Sequence, residues 1–225
     1  MSKNRINTVL FDLDGTLTDP GPGITKSVQY SLRKCDIDVV DLAELEKFIG
    51  PPLAQSYVNF YAFSKEESLR AVDYYREYFS EKGLYENELY PGIPELLEEL
   101  SHKGISLGLA TSKPTVFAER ILAYFELDRF FHKVIGSNMD NTRTDKKEII
   151  DVALQELGKS PSEAIMIGDR MHDILGARAH SVKSVGVLYG YSPEGELEEI
   201  GPDFLVEDVD SLRDVLREHM GDLIS

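Results

Sequence analysis

The sequence has almost no cysteine and no long apolar run. Its one cysteine, Cys35, cannot form a disulfide within the chain, and this favours a reducing compartment. No stretch approaches the roughly 18 apolar residues of a membrane-spanning helix. The first residues also lack the apolar segment of a signal peptide. We therefore expect a cytoplasmic protein that does not enter a membrane.

Positive charge is scarce as well. The chain has 24 lysine and arginine residues against 40 aspartate and glutamate residues, and its formal net charge is −16. A field of this sign repels phosphate polymers and anionic lipids, so it argues against a nucleic-acid or membrane partner. The length of 225 residues suits one large domain or a core domain with a smaller insert.

Short apolar runs of strand length recur along the chain. They lie at residues 8–11, 105–110, 133–136, 164–168, 184–188 and 203–206. Helical patterns stand between the later runs, at residues 93–102, 115–125, 146–157 and 172–179. The alternation predicts an α/β fold in which a parallel sheet is covered by helices on both faces. The acidic stretch at 194–199 predicts a solvated helix face.

Residues 24–82 differ from the rest because they show helical periodicity and no strand pattern. Stretches rich in glycine and proline, at 19–23 and 86–92, predict linkers at the two ends of this segment. We therefore expect an α/β core domain formed by residues 1–17 and 88–225, and an inserted helical cap domain formed by residues 18–87.

Polar side chains follow the apolar runs at the points where strands should end. They are Asp12, Asp14, Thr111, Ser112, Lys113, Asp169 and Asp173. In an open parallel sheet, ligands bind beyond the carboxyl ends of the strands, so these groups should converge. Carboxylates that crowd together repel one another, and Mg²⁺ with its preference for oxygen ligands would relieve the repulsion. One aspartate of the first pair could attack a phosphorus and the other could exchange protons.

Three stretches carry a family resemblance. DLDGT at 12–16, ATSKP at 110–114 and GDRMHD at 168–173, with a lysine between the last two, resemble the motifs of the haloacid dehalogenase superfamily of phosphohydrolases. The resemblance covers the whole chain. It is closest to the phosphoglycolate phosphatase-like branch, which has a Rossmann-like core and a helical C1-type cap.

The resemblance implies a role for each motif residue. Asp12 would be the nucleophile that forms an aspartyl-phosphate, and Asp14 would be the general acid and base. Thr111 and the backbone amide of Ser112 would hold the transferred phosphoryl group. The implied Mg²⁺ ligands are Asp12, Asp14 through its backbone carbonyl, Asp169, and Asp173 either directly or through water.

The phosphate-neutralising lysine needs a separate argument, since the chain departs from the common KPxP pattern of the family. Asp145 with Glu148 resembles a capping box and predicts a helix that starts near Lys146. Lys146 shares the apolar face of that helix, whereas Lys147 lies off it. We therefore assign the role to Lys146, with Lys147 and Arg143 as alternatives.

The expected activity is Mg²⁺-dependent hydrolysis of a small phosphorylated metabolite by a monomer or weak homodimer. Phosphoglycolate is the expected substrate by analogy, and a nucleoside 5′-monophosphate is the alternative. A mutase of the β-phosphoglucomutase type is less favoured because the stretch shortly after the DxDG motif, TDPGPGITKS, has no histidine. A non-catalytic binding protein is less favoured because every motif position is intact. Gly50, Arg33 and Arg143 are candidate substrate contacts.

Overall fold

The computed structural model describes residues 5–220. They form two compact units, residues 5–17 with 89–220 and residues Thr18–Glu88. The strands are β1 (Thr8–Phe11), β2 (Thr18–Asp19), β3 (Glu88–Leu89), β4 (Ser106–Pro114), β5 (Lys133–Ser137), β6 (Ala164–Gly168), β7 (Lys183–Val187) and β8 (Phe204–Val206). The α-helices are α1 (Gly21–Lys34), α2 (Leu53–Tyr61), α3 (Lys65–Glu81), α4 (Ile93–His102), α5 (Thr115–Tyr124), α6 (Lys146–Leu157), α7 (Met171–Ala179), α8 (Glu196–Ile200) and α9 (Val209–Met220).

The first unit is built on a six-stranded sheet in the order β5-β4-β1-β6-β7-β8, with every neighbouring pair parallel. Phe11 at the end of β1 pairs with Leu109 on one side and Ile167 on the other. The predicted α/β fold with a parallel sheet is confirmed. Because the strand order changes direction at β1, the carboxyl end of this strand opens into the crevice where such sheets bind ligands.

The strands are apolar because both faces of the sheet are covered. All four residues of β1 are buried, and all five of β6. Leu10 and Met166 belong to one buried cluster with Ile150 of α6 and Ala177 of α7. The predicted strands at 8–11 and 164–168 match β1 and β6. However, β4 extends past the predicted end at residue 110, because it continues irregularly to Pro114.

The second unit, Thr18–Glu88, is helical, and small residues lie at contacts between its elements. The Ser31 hydroxyl on α1 donates to the carbonyl of Ala71 on α3 at 2.6 Å. The predicted linker at 19–23 is wrong, since α1 already begins at Gly21. A proline early in a helix needs no hydrogen-bond partner, and Gly23 lets the backbones approach, because a Cβ there would lie 2.0 Å from the carbonyl oxygen of Gly83.

The part of the chain that the structure describes contains no helix long and apolar enough to cross a membrane. Two-residue strands β2 and β3 form a separate sheet where the chain leaves and re-enters the first unit. That the second unit serves as a cap stays a prediction.

We expect Leu10→Ala to lower the free energy of unfolding by about 3 kcal/mol, because it removes a fully buried side chain from the central strand and leaves a cavity. Urea unfolding followed by far-UV circular dichroism measures the change. Leu205→Ala in β8 is the matched control, since Leu205 is 40% exposed and its loss should cost at most about 0.5 kcal/mol. Equal losses in the two variants would contradict the assignment of β1 to the core.

Candidate active site

The chain turns sharply just after β1. The backbone N–H of Asp12 still donates to Ile167 in the β6 ladder, at 2.9 Å, and the carboxylate of Asp12 accepts from the N–H of Leu13 at 2.8 Å. Gly15 then adopts a φ of +77°, a left-handed conformation that favours glycine. A Cβ on Gly15 would lie 2.1 Å from Oδ2 of Asp169, so only glycine lets the two motifs approach this closely.

Lys146 joins two of the predicted acidic residues. Its Nζ lies 3.1 Å from Oδ1 of Asp12 and 2.7 Å from Oδ1 of Asp173, and it donates to the carbonyl of Ala110 at 2.9 Å. The carboxylate of Asp145 caps the start of α6 by accepting the backbone N–H of Lys147, and Lys146 is the first residue of the helix. Burial disfavours the ammonium charge, yet the pKa of Lys146 is raised because the two carboxylates outweigh the burial.

A second buried ion pair connects Lys113 with Asp14. Lys113 Nζ lies 2.9 Å from Oδ2 of Asp14, and the two side chains are only 5% and 12% exposed. The pair forms where the pairing of β4 with β5 becomes irregular, between Ala110 and Pro114. In the same stretch, the hydroxyl of buried Thr111 accepts the N–H of Lys113 at 3.3 Å. Burial raises the pKa of Asp14, although Lys113 opposes the rise.

Three buried carboxylates could hold a cation. Asp12, Asp169 and Asp173 each offer an oxygen, and these oxygens lie within 4.8 Å of one another. Burial, with the charges of Asp173 and Asp12, raises the pKa of Asp169 well above its ordinary value. Oδ1 of Asp169 is buried and has no hydrogen-bond partner among residues 5–220. With Asp14, the site holds four buried aspartates and two buried lysines. The excess of two negative charges and the oxygen donors fit a divalent cation.

The segment after β7 fixes the acidic loop. The N–H of Tyr191 donates to Oδ2 of Asp169 at 2.7 Å. Glu196 accepts from the Arg170 guanidinium and, at 2.9 Å, from the N–H of Met171 at the start of α7. The predicted solvated face at 194–199 is therefore wrong for Glu196, whose side chain is 13% exposed. An arginine and a helix start together provide enough hydrogen bonds to bury its charge.

Not every predicted site residue joins this cluster. Lys147 is exposed, so the contacts favour Lys146 as the phosphate-neutralising lysine. The guanidinium of Arg143 donates to the carbonyl of Gly136 at 2.8 Å and so fixes the loop before α6. Ser112, which is half-buried, lies beside Thr111 on β4.

Two of the candidate substrate contacts lie in the helical unit. Arg33 pairs with Asp38 at 3.1 Å, and both of these side chains are exposed. Gly50 forms the turn before α2 with a φ of +100°. Their contact with a substrate stays a prediction.

The chain was next compared with known proteins. A family model described as haloacid dehalogenase-like hydrolase matches residues 9–187. The chain belongs to this family. The predicted membership is thus confirmed, and with it the assignment of the chain to the phosphoric monoester hydrolases.

The relatives differ in the substrates that their names give. A 5′-nucleotidase of Pseudomonas aeruginosa is 49% identical over 215 residues, which are 96% of this chain and 97% of that protein. A phosphoglycolate phosphatase of Vibrio parahaemolyticus is 25% identical over 224 residues, which are 96% of this chain and 98% of that protein. The crystal structure of a predicted phosphatase from Clostridium acetobutylicum has a TM-score of 0.93 and 47% identity, and covers 95% of this chain and 99% of that one.

Sequence reasoning missed the roles of Lys113, Gly190 and Glu196. Lys113 had a local signal, since it stands two residues after Thr111 in a strand and side chains two apart share a face. Gly190 and Glu196 had none, because their contacts with the acidic loop arise only from the arrangement of β6 and β7.

We expect Gly190→Ala to lower kcat/KM for p-nitrophenyl phosphate by about 10²-fold, because a displaced catalytic group costs about this much. A Cβ on Gly190 would lie 2.3 Å from the carbonyl oxygen of Gly15 and 2.4 Å from Cβ of Asp169, so the segment or Asp169 must move. Steady-state kinetics measures the loss, with circular dichroism to check folding.

Gly104→Ala is the control for this substitution. Gly104 has a positive φ, +68°, which Gly190 lacks, but a Cβ there would meet no atom within 4 Å. It should lose a little stability and no activity. A fully active Gly190→Ala enzyme would contradict the close packing described for Gly190.

Proposed function

We propose that this protein is a Mg²⁺-dependent phosphatase that hydrolyses nucleoside 5′-monophosphates through a phosphoryl group carried on Asp12. The observation that carries the chemistry is the convergence of Asp12, Asp169 and Asp173 with the Lys146 ammonium at one buried point. Asp12 and Asp14, two residues apart at the end of β1, are the carboxylate pair that can divide nucleophilic and acid–base work, and carboxylates are known to form phosphoryl-enzyme intermediates.

In the first step, a carboxylate oxygen of Asp12 forms a bond to phosphorus while the bond from phosphorus to the ester oxygen breaks. Asp14 gives a proton to the departing oxygen. Lys146 balances the negative charge beside Asp12, and the Thr111 hydroxyl with the Ser112 amide binds the phosphoryl oxygens. Phosphoryl transfer depends mainly on such positioning and charge stabilisation.

In the second step, Asp14 takes a proton from a water molecule as the water oxygen attacks the phosphorus of the aspartyl-phosphate. The bond to Asp12 breaks, and inorganic phosphate and the free carboxylate result. Asp12, Asp169 and Asp173, with the backbone carbonyl of Asp14, would hold the Mg²⁺ ion. When bound, such an ion neutralises charge on the phosphoryl group.

The choice of substrate rests on the relatives. The protein named 5′-nucleotidase shares 49% of its residues with this chain, whereas the phosphoglycolate phosphatase shares 25%. Both matches extend over nearly the whole chain, so the comparison includes the helical unit, where substrate contacts are predicted. This supports a nucleoside 5′-monophosphate over phosphoglycolate. We also expect the protein to act in the cytoplasm as a monomer or weak homodimer.

Asp12→Asn should abolish phosphate release and leave the fold intact. The amide cannot attack phosphorus, so we expect a loss of more than about 10³-fold, at the scale of losing a nucleophile. Phosphate release is measured with Mg²⁺ and with excess EDTA, which tests the need for Asp12 and the need for the metal ion. EDTA should stop the unsubstituted enzyme. Asp214→Asn is the control, because that side chain is 80% exposed on α9. Wild-type turnover in EDTA would contradict the metal requirement.

A panel of phosphate esters tests the substrate. Nucleoside 5′-monophosphates should give a kcat/KM at least about tenfold above that of phosphoglycolate, which corresponds to roughly 1.4 kcal/mol of differential transition-state binding. Each substrate is assayed at matched Mg²⁺ concentration. The reverse order would return the assignment to phosphoglycolate.

A further inference from the structure

Lys113 occupies an unusual position for a lysine, because its ammonium group is buried beside a carboxylate. Its side chain is 5% exposed, and its Nζ lies 2.9 Å from Asp14. Burial of an ion pair is expensive, and apolar residues of similar volume often stabilise a fold as well or better. A buried lysine beside the proposed general acid therefore calls for a functional explanation.

The two oxygens of the Asp14 carboxylate have different surroundings. Oδ2 is held by the Lys113 ammonium. Oδ1 is buried and has no hydrogen-bond partner among the residues that the structure describes. One oxygen is thus anchored, and the other has no partner among residues 5–220 that would compete with a bound substrate.

The backbone around Lys113 is itself tightly held. Its N–H donates to the Thr111 hydroxyl at 3.3 Å. Its carbonyl oxygen lies against Gly136 of β5, where a Cβ would come within 2.3 Å. The ammonium is therefore presented from a backbone with little room to move, as a positioning role requires.

We propose that Lys113 is a positioning residue that fixes Oδ2 of Asp14, so that Oδ1 faces the leaving oxygen and carries the transferred proton. This inference rests on the proposed function. During the first step, the proton passes from Oδ1 to the ester oxygen as the bond to phosphorus breaks, and Lys113 keeps all its protons. Lys113 acts on the substrate only through Asp14.

The test compares two leaving groups of nearly the same size. Phenyl phosphate releases a basic phenolate that needs a proton, whereas p-nitrophenyl phosphate releases a stabilised anion that needs little help. We expect Lys113→Met to lower kcat/KM for phenyl phosphate by about tenfold or more and for p-nitrophenyl phosphate by less than about threefold. The parameter kcat/KM is used because it covers the step in which the leaving group departs.

Two further variants sharpen the comparison. Lys113→Arg keeps a cation beside Asp14 and should retain most of the wild-type ratio between the two substrates. In an Asp14→Asn background, Lys113→Met should no longer change that ratio, because the group it positions is gone. Lys133→Met is the matched control, since Lys133 forms an ion pair of the same 2.9 Å length with Glu156 but is 43% exposed.

Equal losses for both phenyl esters, or no loss for either, would overturn the proposal. So would a ratio that Lys113→Met still changes in the Asp14→Asn background. If circular dichroism shows that Lys113→Met does not fold, Lys113→Arg decides. A Lys113→Arg enzyme with the rate and substrate ratio of the wild type supports the role of the cation, whereas a changed ratio overturns it. A wild-type enzyme without phosphatase activity would refute the proposed function instead.

Discussion

The site depends on two lysines that offset the negative charges crowded at the carboxyl end of β1. Four aspartates are buried there, and two lysines reach them from different elements, Lys146 from α6 and Lys113 from the irregular end of β4. Each lysine is placed by local backbone features, a helix cap in one case and a break in strand pairing in the other. The remaining excess of negative charge makes the cluster suited to a divalent cation, for which the same mutually repelling carboxylates would be the ligands.

The strand order explains why residues so far apart in sequence share this site. β1 lies between β4 and β6 in the parallel sheet, so the carboxyl ends of these three strands are adjacent. The segment after β7 contacts the DLDGT motif, because the Tyr189 hydroxyl donates to the carbonyl of Thr16 at 3.0 Å. In the same segment, the backbone N–H of Tyr191 donates to the carboxylate of Asp169. The first motif and Asp169 are therefore both oriented by contacts from the segment after β7.

The sequence allowed the α/β fold and the strands β1 and β6 to be predicted, because buried strands are short apolar runs and their ends carry polar residues. It also allowed the start of α6 to be placed, since Asp145 is a local capping signal. It did not reveal the mostly covered side chain of Glu196, whose acidic neighbours indicated a solvated helix, nor the helical start at Gly21, where two glycines and two prolines indicated a linker. Both errors concern residues that contact partners distant in sequence: Arg170 pairs with Glu196, and the backbone of Gly83 lies close to Gly23 in α1.

The central position of β1 has a consequence for synthesis on the ribosome. Asp12 and strand β1 are made before the neighbouring strands β4 and β6, which begin only at Ser106 and Ala164. Until those residues emerge, the apolar strand has no partner edge and its aspartates have no lysine beside them. The helices between Thr18 and Glu88 form a compact unit from one continuous segment, so they can assemble before β1 has a partner strand. The cluster of aspartates and lysines is therefore completed only after β4, α6 and β6 have been made.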